Sequence, residues 1–397
     1  MTVLAWSPPT RGPRYGRQGR PCSGGASLAI VLLVGLCLVA CTARPAAGPP
    51  ATDPSSQPRP AHSAADSGAC DLGATPDPPV SLTFSAPGSS ASAGVFVAID
   101  RGYFRALGLD VRFTLVGGGL ELLPALAANQ IDIGAAAPSA GLFNALARDV
   151  PVKILAEQDS SVPGRKTVYA LVVRKDLWDS GAVRDYPDLH GRKVAATGVG
   201  GGSTFEMAMR RVLDRGSLTP NEVEVVNLPF ADINPALATR AIDAAIDIEP
   251  FLTQALEQGL AQVWLEADQI WEGPALGSVI MGSPKLVAQP AVATRFLLGY
   301  LRGVRDYLDA LWFDRGDPAA VLPSLARYTG VTDLGLWARM RPVWINPAGH
   351  VDLDSIARRI ELNARAGYIR EPLDPQRVVD NRFADCAARL LGAYPLP

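Results

Sequence analysis

A glycine-rich segment, "GVGGGSTFEMAM" at residues 198–209, contains the residue types that most clearly suggest binding chemistry. It lies between the apolar run "KVAAT" and a predicted helix. Glycines allow a ligand to approach the backbone closely, and the first N–H groups of a helix lack partners within that helix. We therefore expect a donor-rich pocket for a carboxylate, sulfonate, phosphate or carbonyl, formed by Gly200, Gly201, Gly202, Ser203 and Thr204.

A dinucleotide-binding loop is the alternative interpretation of the same segment. That motif needs G-x-G-x-x-G, but the last position here is Ser203. It also needs an acidic residue at the end of the next strand to hold a ribose, and that strand ends in "VVNLPF". Ser203 and Glu206 have instead the spacing of a helix capping box. The sequence therefore favours a cradle for a smaller ligand.

Several other polar or flexible residues lie at predicted strand ends or helix starts, where open α/β sheets bind ligands. The loop "SAPGSSASAG" follows the first strand, and a glycine run and "PSAG" come later. An ordinary turn or a helix cap is the alternative for each of them. The candidate ligand-binding residues in these segments are Ser85, Pro87, Ser89, Ser90, Gly118, Gly119, Ser139 and Gln158.

Glu249 is the most distinctive single candidate. It ends the apolar run "AAIDI" and precedes Pro250, which can open a helix. A carboxylate at this strand end could accept hydrogen bonds from an amine or a ring N–H of a ligand. The alternative is a first-turn acid that the helix dipole stabilises.

Motifs for catalysis or metal binding do not stand out in the sequence. The three histidines, His62, His190 and His350, are scattered, and no CxxC, G-x-S-x-G or H-E-x-x-H motif occurs. The formal net charge of −2, without a basic stripe, argues against a nucleic-acid partner. We expect no catalytic residue, no metal and no cofactor.

An internal repeat indicates how the candidate residues are positioned. "PALAANQIDIG" (124–134) and "PALATRAIDAA" (235–245) share the pattern P-A-L-A-x-x-x-I-D. Upstream of each copy, strand, small-residue loop and helix follow in the same order. Such alternation predicts two α/β units with mostly parallel sheets and right-handed crossovers. The two small-residue loops, "SAPGSSASAG" and "GVGGGS", should then face each other across a cleft.

The N-terminal residues have the features of an export signal. Four arginines precede the apolar stretch "SLAIVLLVGLCLVA", which is too short to span a bilayer as a mature helix. The following "LVAC" resembles the bacterial lipobox, which predicts removal of residues 1–40 and lipidation of Cys41; a plain secretion signal is the alternative. Residues 41–79, rich in Pro, Ala, Ser and Gly, predict a disordered tether between the lipid and the domain.

Two cysteines are left for a disulfide. Of the five in the chain, Cys22 and Cys37 leave with the signal and Cys41 takes the lipid. In an oxidising exterior the remaining pair, Cys70 and Cys386, is expected to form a disulfide, with two free thiols as the alternative.

The order of several segments resembles a known family. "AIDRGYFRALGLDVRF", "ALAANQIDIGAAAPSA", "LHGRKVAATGVGGGSTFEMAM", "AIDAAIDIEPF" and "RAGYIREPLDPQRVVDNRF" are similar to solute-binding lipoproteins of ABC importers. The most similar group is the nitrate, sulfonate and taurine type, which also includes binders of thiamine-pyrimidine precursors. The resemblance implies an α/β, two-lobed type II periplasmic-binding-protein fold, in which each lobe is a mixed, mostly parallel sheet flanked by helices.

The resemblance also implies a function. Residues 80–168 and 269–397 would form lobe one, and residues 169–268 lobe two. A monomer anchored on the extracytoplasmic face of the cell membrane would capture a small organic solute, anionic or heterocyclic, and deliver it to an ABC permease. Nitrate is disfavoured because no arginine is obviously placed to bind it. The alternatives are an enzyme on the same fold acting on a pyrimidine-type substrate, and a secreted scaffold.

Overall fold

The computed structural model describes residues 70–116, 122–162, 167–272, 275–371 and 373–396. The predicted signal peptide, the lipidation site Cys41 and the tether before Cys70 lie outside the described residues, as do Gly118 and Gly119.

Ten strands in the described part of the chain form two five-stranded sheets. In chain order they are β1 (Val80–Ala86), β2 (Leu109–Leu115), β3 (Ile133–Ala136), β4 (Lys153–Ser160), β5 (Tyr169–Arg174), β6 (Lys193–Ala196), β7 (Glu224–Asn227), β8 (Ala244–Ile248), β9 (Ala261–Glu266) and β10 (Leu276–Gly282).

The two sheets have the same topology. Their strand orders are β2-β1-β3-β10-β4 and β7-β6-β8-β5-β9. In the first, β1 runs parallel to β2 and β3, and β10 runs antiparallel to β3 and β4. In the second, β6 runs parallel to β7 and β8, and β5 runs antiparallel to β8 and β9. Each sheet is therefore mixed and mostly parallel, as predicted.

Helices flank both sheets. Within the described residues they are α1 (Ala93–Asp100), α2 (Tyr103–Ala106), α3 (Leu122–Ala127), α4 (Ala140–Ala147), α5 (Lys175–Asp179), α6 (Thr204–Arg215), α7 (Phe230–Ala238), α8 (Phe251–Glu257), α9 (Ala267–Trp271), α10 (Pro284–Val287), α11 (Pro290–Leu311), α12 (Leu322–Thr329), α13 (Leu334–Arg339), α14 (Leu353–Arg365), α15 (Pro375–Val378) and α16 (Arg382–Leu391). In this part of the chain, none of the helices has the length and apolar composition that a bilayer span requires.

The aspartate of the sequence repeat has the same structural role in both units. Asp132 accepts a hydrogen bond from the Thr83 N–H of β1 at 2.9 Å. Asp243 accepts one from the Lys193 N–H of β6, the corresponding strand of the second sheet, at 3.0 Å. The repeat therefore conserves a contact that aligns the first strand of each unit with its neighbour.

The long helix α11 packs against α1 and forms much of the core beside the first sheet. Phe296 of α11 stacks on Phe104 with ring centroids 5.1 Å apart, and both rings are buried. A Cβ at Gly303 would meet the Gly94 carbonyl, so the two helices cross with their backbones close together. Burial of these aromatic side chains provides a large share of the hydrophobic stabilisation on this side.

The chain contacts the domain from Cys70 onward, before β1 begins. A disulfide joins Cys70 to Cys386 of α16. The Arg295 guanidinium donates hydrogen bonds to the carbonyls of Leu72, Gly73 and Ala74. The last residues of the predicted tether, 70–79, are thus held against the folded domain.

Candidate ligand-binding site

A cavity of about 410 Å³ is lined by residues at the strand ends of both sheets. Residues that follow the parallel strands meet there with residues at the starts of β5 and β10, the two strands that run in the opposite direction, as expected for ligand sites of open α/β sheets. The lining residues are Pro87, Gly88, Ser89, Ala91, Ser92, Leu115, Val116, Ala135, Ala136, Ala137, Gln158, Asp159, Val168, Tyr169, Thr204, Phe205, Phe230, Ala231, Ile248, Glu249, Pro250, Phe251, Gly277 and Ser278.

Aromatic rings form one wall of the cavity. Phe205, Phe230 and Phe251 each lie in the first turn of a helix that follows a strand of the second sheet, in α6, α7 and α8. The rings of Phe205 and Phe230 meet edge to face at 4.9 Å, and Tyr169 meets Phe205 at 5.5 Å. The edge-to-face packing fixes the orientation of these rings, so the wall is preformed.

A hydrogen-bond network covers the opposite wall, beside the first sheet. The Gln158 amide donates to the Ser92 hydroxyl at 2.8 Å, and Ser278 donates to the Gln158 carbonyl oxygen at 2.7 Å. Ser278 also contacts the Asp159 carboxylate. Because these side chains bind one another, Gln158 is held in one orientation at the cavity surface.

Asp159 is a buried carboxyl group of this wall. Its relative exposure is 4%, and β10 approaches so closely that a Cβ at Gly277 would overlap the carboxylate. Burial raises the pKa of Asp159 to about 6, and the hydrogen bonds with Ser278 and the charge of Arg359 oppose this shift.

Glu249 lines the cavity from the second sheet, but its oxygens already have partners. They accept hydrogen bonds from the Thr253 N–H at 3.0 Å, the Thr253 hydroxyl at 2.9 Å and the Arg341 N–H at 3.4 Å. Burial raises the pKa of Glu249, while these hydrogen bonds and the charge of Arg341 oppose the shift. The carboxylate thus binds the start of α8, which was the alternative role for this residue in the sequence.

Thr204 lines the cavity, and its side-chain hydroxyl is buried and unpaired among the described residues. Its side chain is buried, and among the described residues nothing hydrogen-bonds to the hydroxyl oxygen. A buried hydroxyl without a partner costs free energy, which a hydrogen bond to a ligand would offset. Of the five candidates in the glycine-rich segment, Thr204 is the one that lines this cavity.

The glycine-rich loop binds a side chain of its own chain. The backbone N–H groups of Gly200 and Gly202 both donate to one carboxylate oxygen of Glu206 at 2.9 Å. Ser203 caps α6 by accepting the Glu206 N–H at 3.1 Å. The predicted helix start is therefore present, but the anion held by the loop is Glu206, and Gly200, Gly201, Gly202 and Ser203 are not among the residues that line the cavity.

Glu206 also connects the loop to the C-terminal helices. Tyr368, which follows α14, donates its hydroxyl hydrogen to the other Glu206 oxygen at 2.5 Å, and Arg210 pairs with that oxygen at 3.0 Å. Gly202 has a φ of +64°, and a Cβ there would collide with Asn363 of α14 and Ala140 of α4. Glycine at this position permits the loop to lie directly against those helices.

Of the remaining candidate residues, some line the cavity and others lie elsewhere in the structure. Pro87 and Ser89 line the cavity together with Gln158, Thr204 and Glu249. Ser85 and Ser90 are buried and do not line it. Ser139 caps α4 by accepting the Leu142 N–H at 3.3 Å, and it borders a separate cavity of about 200 Å³.

Sequence reasoning missed the aromatic wall and Asp159. A signal for the rings was present, because "LPF" and "IEPF" both place Pro and Phe directly after a predicted strand. That pattern accounts for Phe230 and Phe251, but Pro and Phe directly after a strand are equally typical of an ordinary helix start. Asp159 had no comparable signal, since its approach to the cavity depends on pairing with β10, which lies far away in the sequence.

The described part of the chain has no group of His, Cys, Asp and Glu side chains arranged to hold a metal ion. The polar lining of the cavity consists of hydroxyl, amide and carboxyl groups, and the described lining residues include no lysine, arginine or histidine. The cavity therefore offers hydroxyl and amide groups that donate or accept hydrogen bonds, and carboxyl groups without a basic side chain beside them in the lining, next to an apolar, aromatic wall.

Solved structures with the same fold include both binding proteins and an enzyme. The alkanesulfonate-binding protein SsuA from Xanthomonas axonopodis pv. citri, bound to MOPS, has a TM-score of 0.59 at 18% identity, covering 76% of this chain and 99% of its own. The periplasmic nitrate-binding protein NrtA from Synechocystis PCC 6803 has a TM-score of 0.62 at 16% identity, with 79% and 89% covered. The desulfurization enzyme DSZB has a TM-score of 0.55 at 14% identity, with 79% and 100% covered.

These likenesses confirm the two-lobed periplasmic-binding-protein fold predicted from the sequence. No curated protein matches the chain. The family model described as "NMT1/THI5 like" matches residues 89–310, a range that runs from the loop after β1 into α11 and includes most of the cavity lining. The chain belongs to the NMT1/THI5-like family.

Proposed function

We propose that the protein is the extracytoplasmic solute-binding receptor of an ABC importer, which captures a small organic solute and delivers it to a permease. The observation that carries this proposal is the cavity of about 410 Å³ with lining residues from both sheets. A solute in this cavity touches both halves of the molecule at once. Its higher affinity for the closed than for the open arrangement would shift the population towards the closed form.

The family and the similar structures support the receptor. Two of the three structures above are described as an alkanesulfonate-binding and a periplasmic nitrate-binding protein. Likeness at this level of identity carries the fold but not the ligand. The solute of this protein is therefore inferred from its own cavity.

The lobes are proposed as residues 80–168 with 269–397, and residues 169–268. The strands support this division, because β1 to β4 and β10 form one sheet and β5 to β9 the other. The chain then crosses between the lobes twice, before β5 and before β10. Those two crossings are the proposed hinge, since a few residues between packed units absorb most of a closing motion.

The membrane attachment is proposed from the N-terminal sequence. Removal of residues 1–40 would leave Cys41 as the lipidated first residue, and residues 42–69 would connect it to the domain. Two or more acyl chains hold a protein stably on a membrane, whereas one chain binds only marginally. The disulfide between Cys70 and Cys386 suits the oxidising environment outside the cytoplasm. The receptor is proposed to act as a monomer.

An enzyme on the same fold is the second candidate, and DSZB is the observation that favours it. Its chemistry here would depend on Asp159 or Glu249, whose pKa values are raised by burial. Glu249 is already bound by Thr253 and Arg341, and Asp159 by Ser278, so neither is placed freely for proton transfer. The receptor therefore accounts better for the described lining.

Native mass spectrometry of the full-length protein, extracted from its own membrane, tests this function. The expected spectrum shows the protein with one bound small molecule, and the released molecule raises the melting temperature when it is added back. Prolonged incubation leaves that molecule chemically unchanged. A protein that carries no small molecule and is stabilised by none would contradict the receptor, and turnover of the molecule would favour the enzyme.

A further inference from the structure

We propose that the solute is an organic cation, an ammonium group on an apolar body, held between the Asp159 carboxylate and the aromatic wall. The proposal rests on the receptor function and names the chemical class of its solute. It departs from the similar structures, whose descriptions name a sulfonate and a nitrate as ligands.

Two places where an anionic solute could bind, the glycine-rich loop and the start of α8, are filled by carboxylates of the chain itself. Backbone N–H groups at glycine loops and helix starts are natural anion sites. Here Glu206 takes the N–H groups of Gly200 and Gly202, and Glu249 takes the N–H of Thr253 at the start of α8. An anionic solute would therefore meet negative charge at these two donor sites.

The charges around the cavity are not balanced within the described residues. Arg341 lies 2.7 Å from Glu266 and 3.7 Å from Glu249, so a single guanidinium serves two carboxylates. Asp159 binds the Ser278 hydroxyl and is in no direct ion pair among the described residues, although the buried Arg359 guanidinium acts on it through its charge. A buried carboxylate without a counter-ion in direct contact is costly, and a cationic solute would supply that contact.

The aromatic wall fits the same solute. The rings of Tyr169, Phe205, Phe230 and Phe251 border the cavity, and a cation near a ring face is attracted by its quadrupole. Aromatic walls of this type bind ammonium groups in other proteins. The apolar part of the solute would pack on Leu115, Val116 and Ile248.

The unpaired hydroxyl of Thr204 is an observation independent of the charges. It is buried in a residue that lines the cavity, and it has no described partner. A hydroxyl oxygen accepts hydrogen bonds from an ammonium N–H as readily as it donates to an oxygen. The cavity of about 410 Å³ lies within the common range of small-molecule sites, about 300–1,000 Å³.

Three probes that share a benzyl group separate the charge classes: benzylamine, benzyl alcohol and phenylmethanesulfonate. Calorimetric titration of the full-length protein in detergent at pH 7.5 is expected to give the tightest binding for benzylamine, by about tenfold over the alcohol, and the weakest for the sulfonate. Tighter binding of the sulfonate, or equal binding of all three, would overturn the inference.

Two variants assign the preference to the proposed residues. Asp159→Asn keeps the shape and the hydrogen bond to Ser278, and it is expected to remove the preference for benzylamine over benzyl alcohol. Phe205→Leu is expected to weaken benzylamine binding roughly three- to tenfold, and the alcohol less. The control Asp214→Asn makes the same change at an exposed position of α6 and should leave all three affinities unchanged. Retention of the full preference in Asp159→Asn would contradict the inference.

The solute recovered from the native protein separates this inference from the receptor function. A recovered molecule with a protonated nitrogen at pH 7.5 supports both. A neutral or anionic molecule overturns the inference but leaves the receptor standing. Recovery of no molecule, together with no binding of any probe, overturns both.

Discussion

At the scale of single residues, two backbone N–H sites suited to anions bind carboxylates of the chain itself. The glycine-rich segment has the composition of a ligand loop, and its N–H groups do bind a carboxylate, but that carboxylate is Glu206. The sequence could not distinguish an internal ligand from an external one, since both need the same donors at the same spacing. Thr204 and Glu249 reach the predicted cavity, whereas Ser85 and Ser90 lie buried beside it. Which loop residues line a cavity depends on the packing of the other sheet.

Glu206→Gln is expected to destabilise the protein by about 2 kcal/mol, because a neutral amide loses charge-assisted hydrogen bonds from the loop, Arg210 and Tyr368. Chemical denaturation measures the change. The matched control is Glu361→Gln, which removes an exposed ion pair of the same spacing with Arg365 and should cost less than about 0.5 kcal/mol. Equal effects of the two substitutions would contradict the internal-ligand role of Glu206.

Asp247 makes stability depend on pH. Burial raises its pKa to about 8, and one of its oxygens has no described partner. The folded state therefore binds this proton more tightly than the unfolded chain, whose aspartates titrate near about 3.9. The stability from that proton is fully present below the unfolded pKa and is lost as the pH rises towards 8.

Asp247→Asn is expected to remove this dependence. The melting temperature of the variant should rise relative to the unsubstituted protein between pH 5 and pH 8, with a free-energy difference that grows by at most about 1.4 kcal/mol per pH unit. Calorimetric melting at both pH values measures it, with the exposed Asp214→Asn as control. A difference that is the same at pH 5 and pH 8 would show that Asp247 is not the group responsible.

At the scale of elements, the repeat was the strongest signal in the sequence. It predicted two α/β units, and the structure has two sheets of identical topology in which Asp132 and Asp243 make equivalent contacts. The antiparallel strands β5 and β10 were harder to predict, because each belongs to its sheet through long-range pairing and not through local pattern. The aromatic wall is also an element-scale feature, since three helix starts must converge to build it.

Gly202→Ala and Gly200→Ala separate two roles of the glycine loop. Both glycines have positive φ values, +64° and +88°, so alanine strains the backbone at either. Only at Gly202 would the new Cβ collide with α4 and α14, whereas nothing lies near the Cβ position of Gly200. We expect about tenfold weaker solute binding for Gly202→Ala and less than about threefold for Gly200→Ala, measured by calorimetry. Equal losses would show that the collision with α4 and α14 does not account for the weaker binding.

At the scale of the whole molecule, family and fold were predictable from the order of weak motifs. The chain belongs to the NMT1/THI5-like family, and the two-lobed fold is confirmed. The solute class was not predictable in the same way, because it depends on which residues of two distant segments face one cavity. Asp159 and Phe205 illustrate this, since they come from opposite sheets and meet only in the folded chain.

Cys41→Ser tests the proposed anchor. Without the acyl chains, the protein should move from the membrane fraction to the soluble extracytoplasmic fraction, because no other lipid attachment is proposed. Fractionation followed by immunoblotting measures the distribution, and metabolic labelling with a fatty acid should label only the unsubstituted protein. A variant that stays in the membrane fraction and keeps the label would show that Cys41 is not the anchor.

The most direct test of the central claim, that two lobes close on a solute, is the distance between them with and without it. Spin labels at Arg105→Cys and Gln258→Cys, exposed positions beside the first and second sheets, report this distance by pulsed electron resonance. With the native solute bound, the account predicts one short, narrow distance, and after the solute is stripped a longer and broader distribution that reverts on add-back. Identical distributions in both states would contradict it.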